Sequence, residues 1–382
     1  MKKLLKFAIV LGVLGIIAGG ALFVVGMTAL EWDFKALDRE DLTEQTFASE
    51  QEIDAVTLEG NWSYVILRGE SFKIEYYESD LCNYDIGVSA SGGGKYAFRL
   101  KETRKSWLSY LGFASDIKRR DLTVTVTVAE DCALTVNGSS ARITAKNQDF
   151  KNIAMEGSDA RLTLENVGAA NITARGSSCR AELKNITAND ILIWGSDARA
   201  NLTDITANDI TAQGSSCRAN ITGAEARDIK ALGSDIHVNL YTVSARNVSG
   251  DSSSCGLTLQ NSEIAERISI QGSNARLTLN NSSAKDVYAK GSDVRVTSEN
   301  ADIRTFDGQG SSLRATLNLK GAKSDIKHAT ASGSSANVYL DGERSKTGFT
   351  NLGGDGFKTF TAIGSSVRLY VNMKGGESVF KE

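Results

Sequence analysis

Nine arginines are the side chains most evidently spaced for chemistry. Arg142, Arg161, Arg180, Arg199, Arg218, Arg276, Arg295, Arg314 and Arg368 each stand four residues after the glycine of a recurring Gly-Ser phrase, Gly-Ser-Ser or Gly-Ser-Asp in most copies. A row of guanidinium groups at one repeat suits an anionic polymer such as teichoic acid, or phospholipid headgroups, because each planar fork can hold an oxyanion through two N–H groups. Arg161, Arg180, Arg199 and Arg218 are the clearest candidates for such a ligand row. The alternative is internal. The third residue of the phrase is Asp159, Asp197, Asp235 or Asp293 in some copies and Ser140, Ser178, Ser216, Ser254 or Ser312 in others, so the acids and hydroxyls of one coil could satisfy the arginines of the next.

No catalytic constellation accompanies this row. There are two histidines, His237 and His328, and His237 occupies an arginine position of the repeat. Gly-Ser-Ser is not the Gly-x-Ser-x-Gly nucleophile elbow, and no phosphate-cradling or dinucleotide glycine pattern occurs. Five cysteines without a Cys-x-x-Cys pair suggest neither a disulfide framework nor a zinc site. No metal or cofactor is expected. A formal charge of −3, with no basic stripe carrying aromatics, argues against nucleic acid.

The glycines that open the phrase show what positions the arginines. Gly138, Gly157, Gly176, Gly195, Gly214 and Gly233 follow at steps of 19 residues; Ser252 takes the next step, and Gly272, Gly291, Gly310, Gly333 and Gly364 continue at looser spacing. Within a copy Leu162 and Leu164 alternate with Arg161 and Thr163, and Ile172 alternates with Asn171 and Thr173, the period of strands with one buried face. Corner residues separate the strands (Asn166-Val167, Asn185-Ile186, Asp204-Ile205). A unit this small must stack on its neighbours to bury its apolar face. The expected fold is therefore all-β, a single-stranded β-helix or β-solenoid of about twelve 19-residue coils over residues 131–376. The absence of proline suits uninterrupted stacking.

Cys179, Cys217 and Cys255 fall in every second copy, so two windings fit: one copy per coil, or two. With one, the cysteines lie about 9.6 Å apart, too far for a disulfide; with two, they stack at about 4.8 Å, and so do Asp159, Asp197 and Asp235, a like-charge row that costs energy. That repulsion favours the 19-residue coil. The cysteines share the inward parity of Leu162 and Leu164.

Ahead of the array, Lys2, Lys3 and Lys6 precede residues 7–30, which carry no charge. At 1.5 Å per residue this is about 36 Å of helix, long enough to span a bilayer. An uncleaved anchor is expected over residues 1–30, with the lysines cytoplasmic and the bulk of the chain extracytoplasmic; a cleaved signal peptide is the competing reading. Residues 31–52 read as an acidic linker, and residues 53–130 as a β-rich cap over the first coil. Residues 101–120 break the β pattern. Trp107, Tyr110 and Phe113 there, with Lys118, Arg119 and Arg120, suit an amphipathic contact with the membrane surface, or else an insertion that folds back onto the cap. At the other end, residues 341–356 read as a polar loop and residues 357–373 as the closing coil. The Asn-x-Ser/Thr triplets, such as Asn171-Ile172-Thr173, arise from corner asparagines followed by strand alternation.

The lysine-led anchor, the acidic stretch around Phe34-Lys35-Ala36-Leu37-Asp38, the Trp107 insertion before Leu122-Thr-Val-Thr-Val-Thr-Val128 and the Gly-Ser-Asp/Ser repeats together resemble the putative-adhesin domains of unknown function of Gram-positive bacteria. The resemblance covers nearly the whole chain. It implies a β-helix at the cell envelope, no catalytic residues and, for some relatives, a part in answering envelope stress. The function expected is a membrane-anchored, non-catalytic surface binding or stress-response module. Its partners would be the membrane, anionic cell-wall polymer, lipid headgroups, membrane-active peptides or another membrane protein. A self-assembling scaffold and a polysaccharide-active β-helix enzyme are the alternatives.

Overall fold

The computed structural model describes residues 19, 42–79, 82–105, 122–350 and 356–380. Regular structure among them is all-β apart from the helical Gly19 and one 3-10 turn, Lys323–Asp325. No helix among the described residues is long and apolar enough to cross a membrane. The anchor expected over residues 1–30, apart from Gly19, and residues 31–41 of the expected linker lie outside them; the rest of that linker is not a free tether, because Leu42–Ser49 pairs as an antiparallel strand with Phe72–Ser79.

The N-terminal part holds β1 (Leu42–Ser49), β2 (Ile53–Glu59), β3 (Ser63–Arg68), β4 (Phe72–Ser79), β5 (Cys82–Gly92), β6 (Lys95–Arg104) and β7 (Thr123–Val128). The repeats form β8 (Cys132–Asn137), β9 (Arg142–Glu156), β10 (Asp159–Tyr241), β11 (Ser244–Gln260), β12 (Glu263–Gln271), β13 (Asn274–Asn280) and β14 (Ser283–Leu319). β15 (Ile326–Ser332), β16 (Ser335–Leu340), β17 (Glu343–Ser345), β18 (Phe349–Thr350), β19 (Lys358–Ile363) and β20 (Ser366–Met373) follow.

One repeat makes one layer. Arg161 lies opposite Arg142 and Ile172 opposite Ile153 in parallel register, and farther along Leu257 lies opposite Val238 and Leu277 opposite Leu257. The register step is one copy, so the two-copy winding does not occur. Cys179, Cys217 and Cys255 are buried, unbridged and two layers apart. In each layer the inward parity fills the core; in the copy opened by Gly157 it supplies Ala160, Leu162, Leu164, Val167, Ile172 and Ala174, all buried.

Two backbone devices hold the layers in step. At the glycine column, a Cβ on Gly157 would stand 1.8 Å from the carbonyl oxygen of Gly138, one on Gly176 2.0 Å from that of Gly157, and one on Gly214 1.8 Å from that of Gly195. Backbone rests on backbone at these glycines, an approach that a Cβ would block, although Ser252 takes the position in one layer. At the opposite corner the chain enters the left-handed region with φ of 54° at Asn147, 56° at Asn166 and 52° at Asn185. Asparagine tolerates this conformation, and it also links the layers: Asn166 Nδ2 donates to Asn147 Oδ1 at 2.6 Å and Asn185 Nδ2 to Asn166 Oδ1 at 2.8 Å.

Both ends depart from chain order. β2 and β3 lie inside the stack, with β8 and β9 on one side and β6 and β7 on the other. The ladder thus begins well before residue 131, and Gly60 is its first glycine, since a Cβ on Gly138 would meet the Gly60 carbonyl oxygen at 2.0 Å. At the far end β19 and β20 sit between the last layer of β14 and the pair β15 and β16. Residues 357–373 are therefore not the closing layer, as pattern alone suggested; β15 and β16 are outermost. Antiparallel strands cover the outer edges: β5 on β6 and β4 on β7 at one end, β18 on β15 and β17 on β16 at the other. Such cover keeps an open edge from pairing with a second chain.

A buried charge pair fixes the inserted layer. Lys358 and Asp302 are both fully buried and form an ion pair. Lys358 Nζ also donates to the Ile303 carbonyl at 3.2 Å, and Asp302 accepts from the Ser378 hydroxyl at 2.9 Å and the Val379 N–H at 2.5 Å. The carboxylate thus ties β19 and the C-terminal tail to the layer before them. Lys358→Met, which strands that carboxylate, is expected to cost about 3–5 kcal/mol in urea unfolding, and the pair Lys358→Met with Asp302→Leu distinctly less. Thr242 points the other way. It is a β-branched residue at φ 55° in the asparagine corner, with its N–H on the Gln260 carbonyl. Thr242→Asn is expected to stabilise the chain by about 1 kcal/mol in the same measurement, by relieving the left-handed strain and facing Asn261 of the next layer.

Candidate ligand-binding columns

The parallel register turns each outward repeat position into a column with one residue per layer, about 4.8 Å apart. Arg161, Arg180, Arg199 and Arg218 occupy one such column, begun by Arg142. Adjacent guanidinium groups at that spacing would repel by about 1 kcal/mol even in water. The partner that relieves this is not on the next layer, as the internal alternative supposed, but two residues back on the same strand. Asp159 Oδ2 lies 3.3 Å from Arg161 Nη2, and Asp197 holds Arg199 at 3.2 and 3.4 Å through both ends of the fork. Farther along Asn274 accepts from Arg276 Nε at 3.3 Å. In the layers with serine at that position, Arg142, Arg180 and Arg218 make no ion pair among the described residues; Arg180 and Arg218 are exposed. From Arg142 to Arg218 every second cation is thus neutralised, and the spare ones recur at about 9.6 Å.

Other columns are closed by their own members. Lys146 and Lys184 hold Glu165 from the layers on either side, at 2.8 and 3.3 Å, and their hydrogen bonds keep its carboxyl below the ordinary value. Asn171 donates to Asn152 at 2.9 Å and Asn239 to Asn220 at 3.0 Å. The Asn-x-Thr triplets that begin at Asn171 and Asn220 thus belong to a structural ladder. Trp107, Tyr110, Phe113, Lys118, Arg119 and Arg120, the residues expected to touch a membrane surface, lie outside the described residues.

One column was not singled out from the sequence. The residues just before the column glycines are Asn137, Glu156, Arg175, Trp194 and Gln213 in successive layers. Trp194 is 46% exposed and the only aromatic among them. It borders two shallow grooves over the Gly-Ser corners, one of about 670 Å³ running from Asn137 to Trp194 and one of about 240 Å³ from Trp194 to Ser234. Glu156 is the larger groove's one carboxylate, and Arg175 lies 3.7 Å from it. Aligning the copies on their glycines would have revealed this tryptophan. Among the described residues no group of three His, Cys, Asp or Glu could hold a metal ion.

No protein family and no curated protein matches the chain. Among solved structures, a protein of Parabacteroides distasonis described as a putative lipid binding protein matches with 13% identity and a TM-score of 0.30, over 70% of this chain and 93% of its own. A Clostridium sporogenes protein described as a putative cell adhesion protein matches with 11% identity and a TM-score of 0.19, over 88% of this chain and 100% of its own.

Burial pushes the thiols of Cys179, Cys217 and Cys255 from the ordinary value of 9.0 up to about 11, and that of Cys132 to about 12. The unfolded chain therefore loses these protons first. Their contribution to stability is complete below about pH 9 and drains as pH rises towards about 11, by about 1.4 kcal/mol per thiol per pH unit. A thiol reagent at neutral pH is expected to label none of them before denaturation, and Cys179→Ala to flatten the alkaline fall in the urea midpoint.

Proposed function

We propose that the chain is a single-stranded β-helix whose coils are the 19-residue layers, held by an N-terminal membrane anchor with its bulk outside the cytoplasm. It acts as a non-catalytic binding module of the cell envelope, taking anionic polymer or phospholipid headgroups on the arginine column. The observation that carries this reading is the alternation of partners along that column: Asp159 and Asp197 occupy Arg161 and Arg199, and Arg142, Arg180 and Arg218, in the layers that alternate with them, are left for a ligand. An extended polyanion can meet several such cations at once, and the gain multiplies without new contacts. The envelope location, and a part in answering membrane-active peptides or other envelope stress, rest on the resemblance of the sequence.

The alternatives are less well supported. A rod-on-rod scaffold needs open strand edges at its ends, and both ends are covered by antiparallel strands. A polysaccharide hydrolase generally needs two carboxylates across a cleft, whereas the larger groove carries Glu156 alone, beside Arg175.

The test separates the two sets of arginines. Polyglycerol phosphate and phosphatidylglycerol vesicles are offered in turn to the full chain, to Arg142→Gln/Arg180→Gln/Arg218→Gln and to Arg161→Gln/Arg199→Gln. Binding is expected to fall at least about tenfold in the triple variant, to change little in the double one, and to weaken as salt is raised. Equal loss in both variants with a lowered melting temperature would mean the column serves the fold alone.

A further inference from the structure

From the Trp194 column we infer a second binding groove, for a neutral polysaccharide strand lying along the Gly-Ser corners with a sugar ring against the indole. The inference rests on the surface-binding reading above but uses different residues. The glycines are not the argument, because close stacking of the layers already requires them. The argument is Trp194: an exposed indole in a column otherwise formed there by Asn137, Glu156, Arg175 and Gln213, with a groove on either side of it.

That arrangement selects a chemical class. An indole face is electron-rich and attracts the electropositive C–H edge of a partner, which is what the apolar face of a pyranose presents. The sugar's rim is a ring of hydroxyls, and amide, carboxylate and guanidinium groups occur at successive layers to meet them, with the exposed hydroxyls of Ser158, Ser177 and Ser196 on the floor. The larger groove, at 670 Å³, is within the size range of small-ligand sites. Glu156 and Arg175 offset each other's charge, so the groove has no net preference for an anion, in contrast to the arginine column. From Gly138 to Gly233 the two grooves span six layers, five steps or about 24 Å, the reach of a short oligosaccharide rather than of a single sugar. A linear polymer suits them, because the lining residues follow one another from layer to layer on both sides of Trp194.

Isothermal calorimetry of the full chain with linear hexaoses of glucose and of N-acetylglucosamine tests this. One of them is expected to bind, Trp194→Ala to weaken it at least about tenfold, and Trp194→Phe to weaken it less. The Arg142→Gln/Arg180→Gln/Arg218→Gln variant is expected to bind it as the parent does. Absence of binding by either hexaose at millimolar concentration, or equal binding by Trp194→Ala, overturns the proposal. If polyglycerol phosphate binds and no hexaose does, this groove falls and the arginine column stands. A hexaose bound through Trp194 without polyanion binding upholds the groove and removes the arginine column as a ligand site.

Discussion

The contact on which the structure depends is a carbonyl oxygen lying where a side chain would begin. Along the glycine column, from Gly138 to Gly333, a Cβ would come within 1.6 to 2.7 Å of the oxygen of the adjoining layer. Layers that touch this closely share one period, and a shared period places like beside like: arginine over arginine, asparagine over asparagine. Neutral amides gain from that, since each can donate to one neighbour and accept from the other. Charged groups lose by it. The chain answers with aspartates in alternate layers at the arginine column, and with lysines flanking a glutamate elsewhere. The pattern of surface charge is thus a consequence of how the backbone is stacked.

Most of the array is legible in the residues, because a 19-residue period and a two-residue alternation are both local. Leu162, Leu164 and Ile172 announce their inward face, and Cys179 shares it. The like-charge argument against a two-copy winding agrees with the register, although the acids pair along their own strand, an offset that period alone does not contain. What escapes a pattern reading is order in space. Gly60 opens the column but is followed by Asn61 and Trp62, so it lacks the phrase that marks the others. Lys358 shares its parity with Phe360 and Ala362, an inward lysine that is visible in the sequence; its partner Asp302 lies 56 residues away and could not be paired with it by spacing.

The candidate sites divide along the same line. The arginine column follows directly from the repeat, and alternation of Asp and Ser is written beside it. Trp194 breaks the repeat at a position where neighbouring copies have nothing in common, so it carries no periodic signal and becomes meaningful only once the Gly-Ser corners form a shelf next to it. Departures from a repeat are where binding groups stand out.

The out-of-order layers at the two ends have a bearing on how such a chain is completed and how it can change. Growth by simple addition at a free tip would finish with the last residues outermost. Here β19 and β20 enter between β14 and the outermost pair β15 and β16, as β2 and β3 are enclosed between β6 with β7 and β8 with β9. During synthesis the slot beside Phe306 and Leu313 stays unfilled until β19 and β20 have left the ribosome, so this end of the stack cannot close on a chain that lacks them. Between these two interlocked ends lies a run of equivalent layers whose number no end contact specifies. Gain or loss of a whole copy there lengthens or shortens the molecule by one step and leaves both closures as they are.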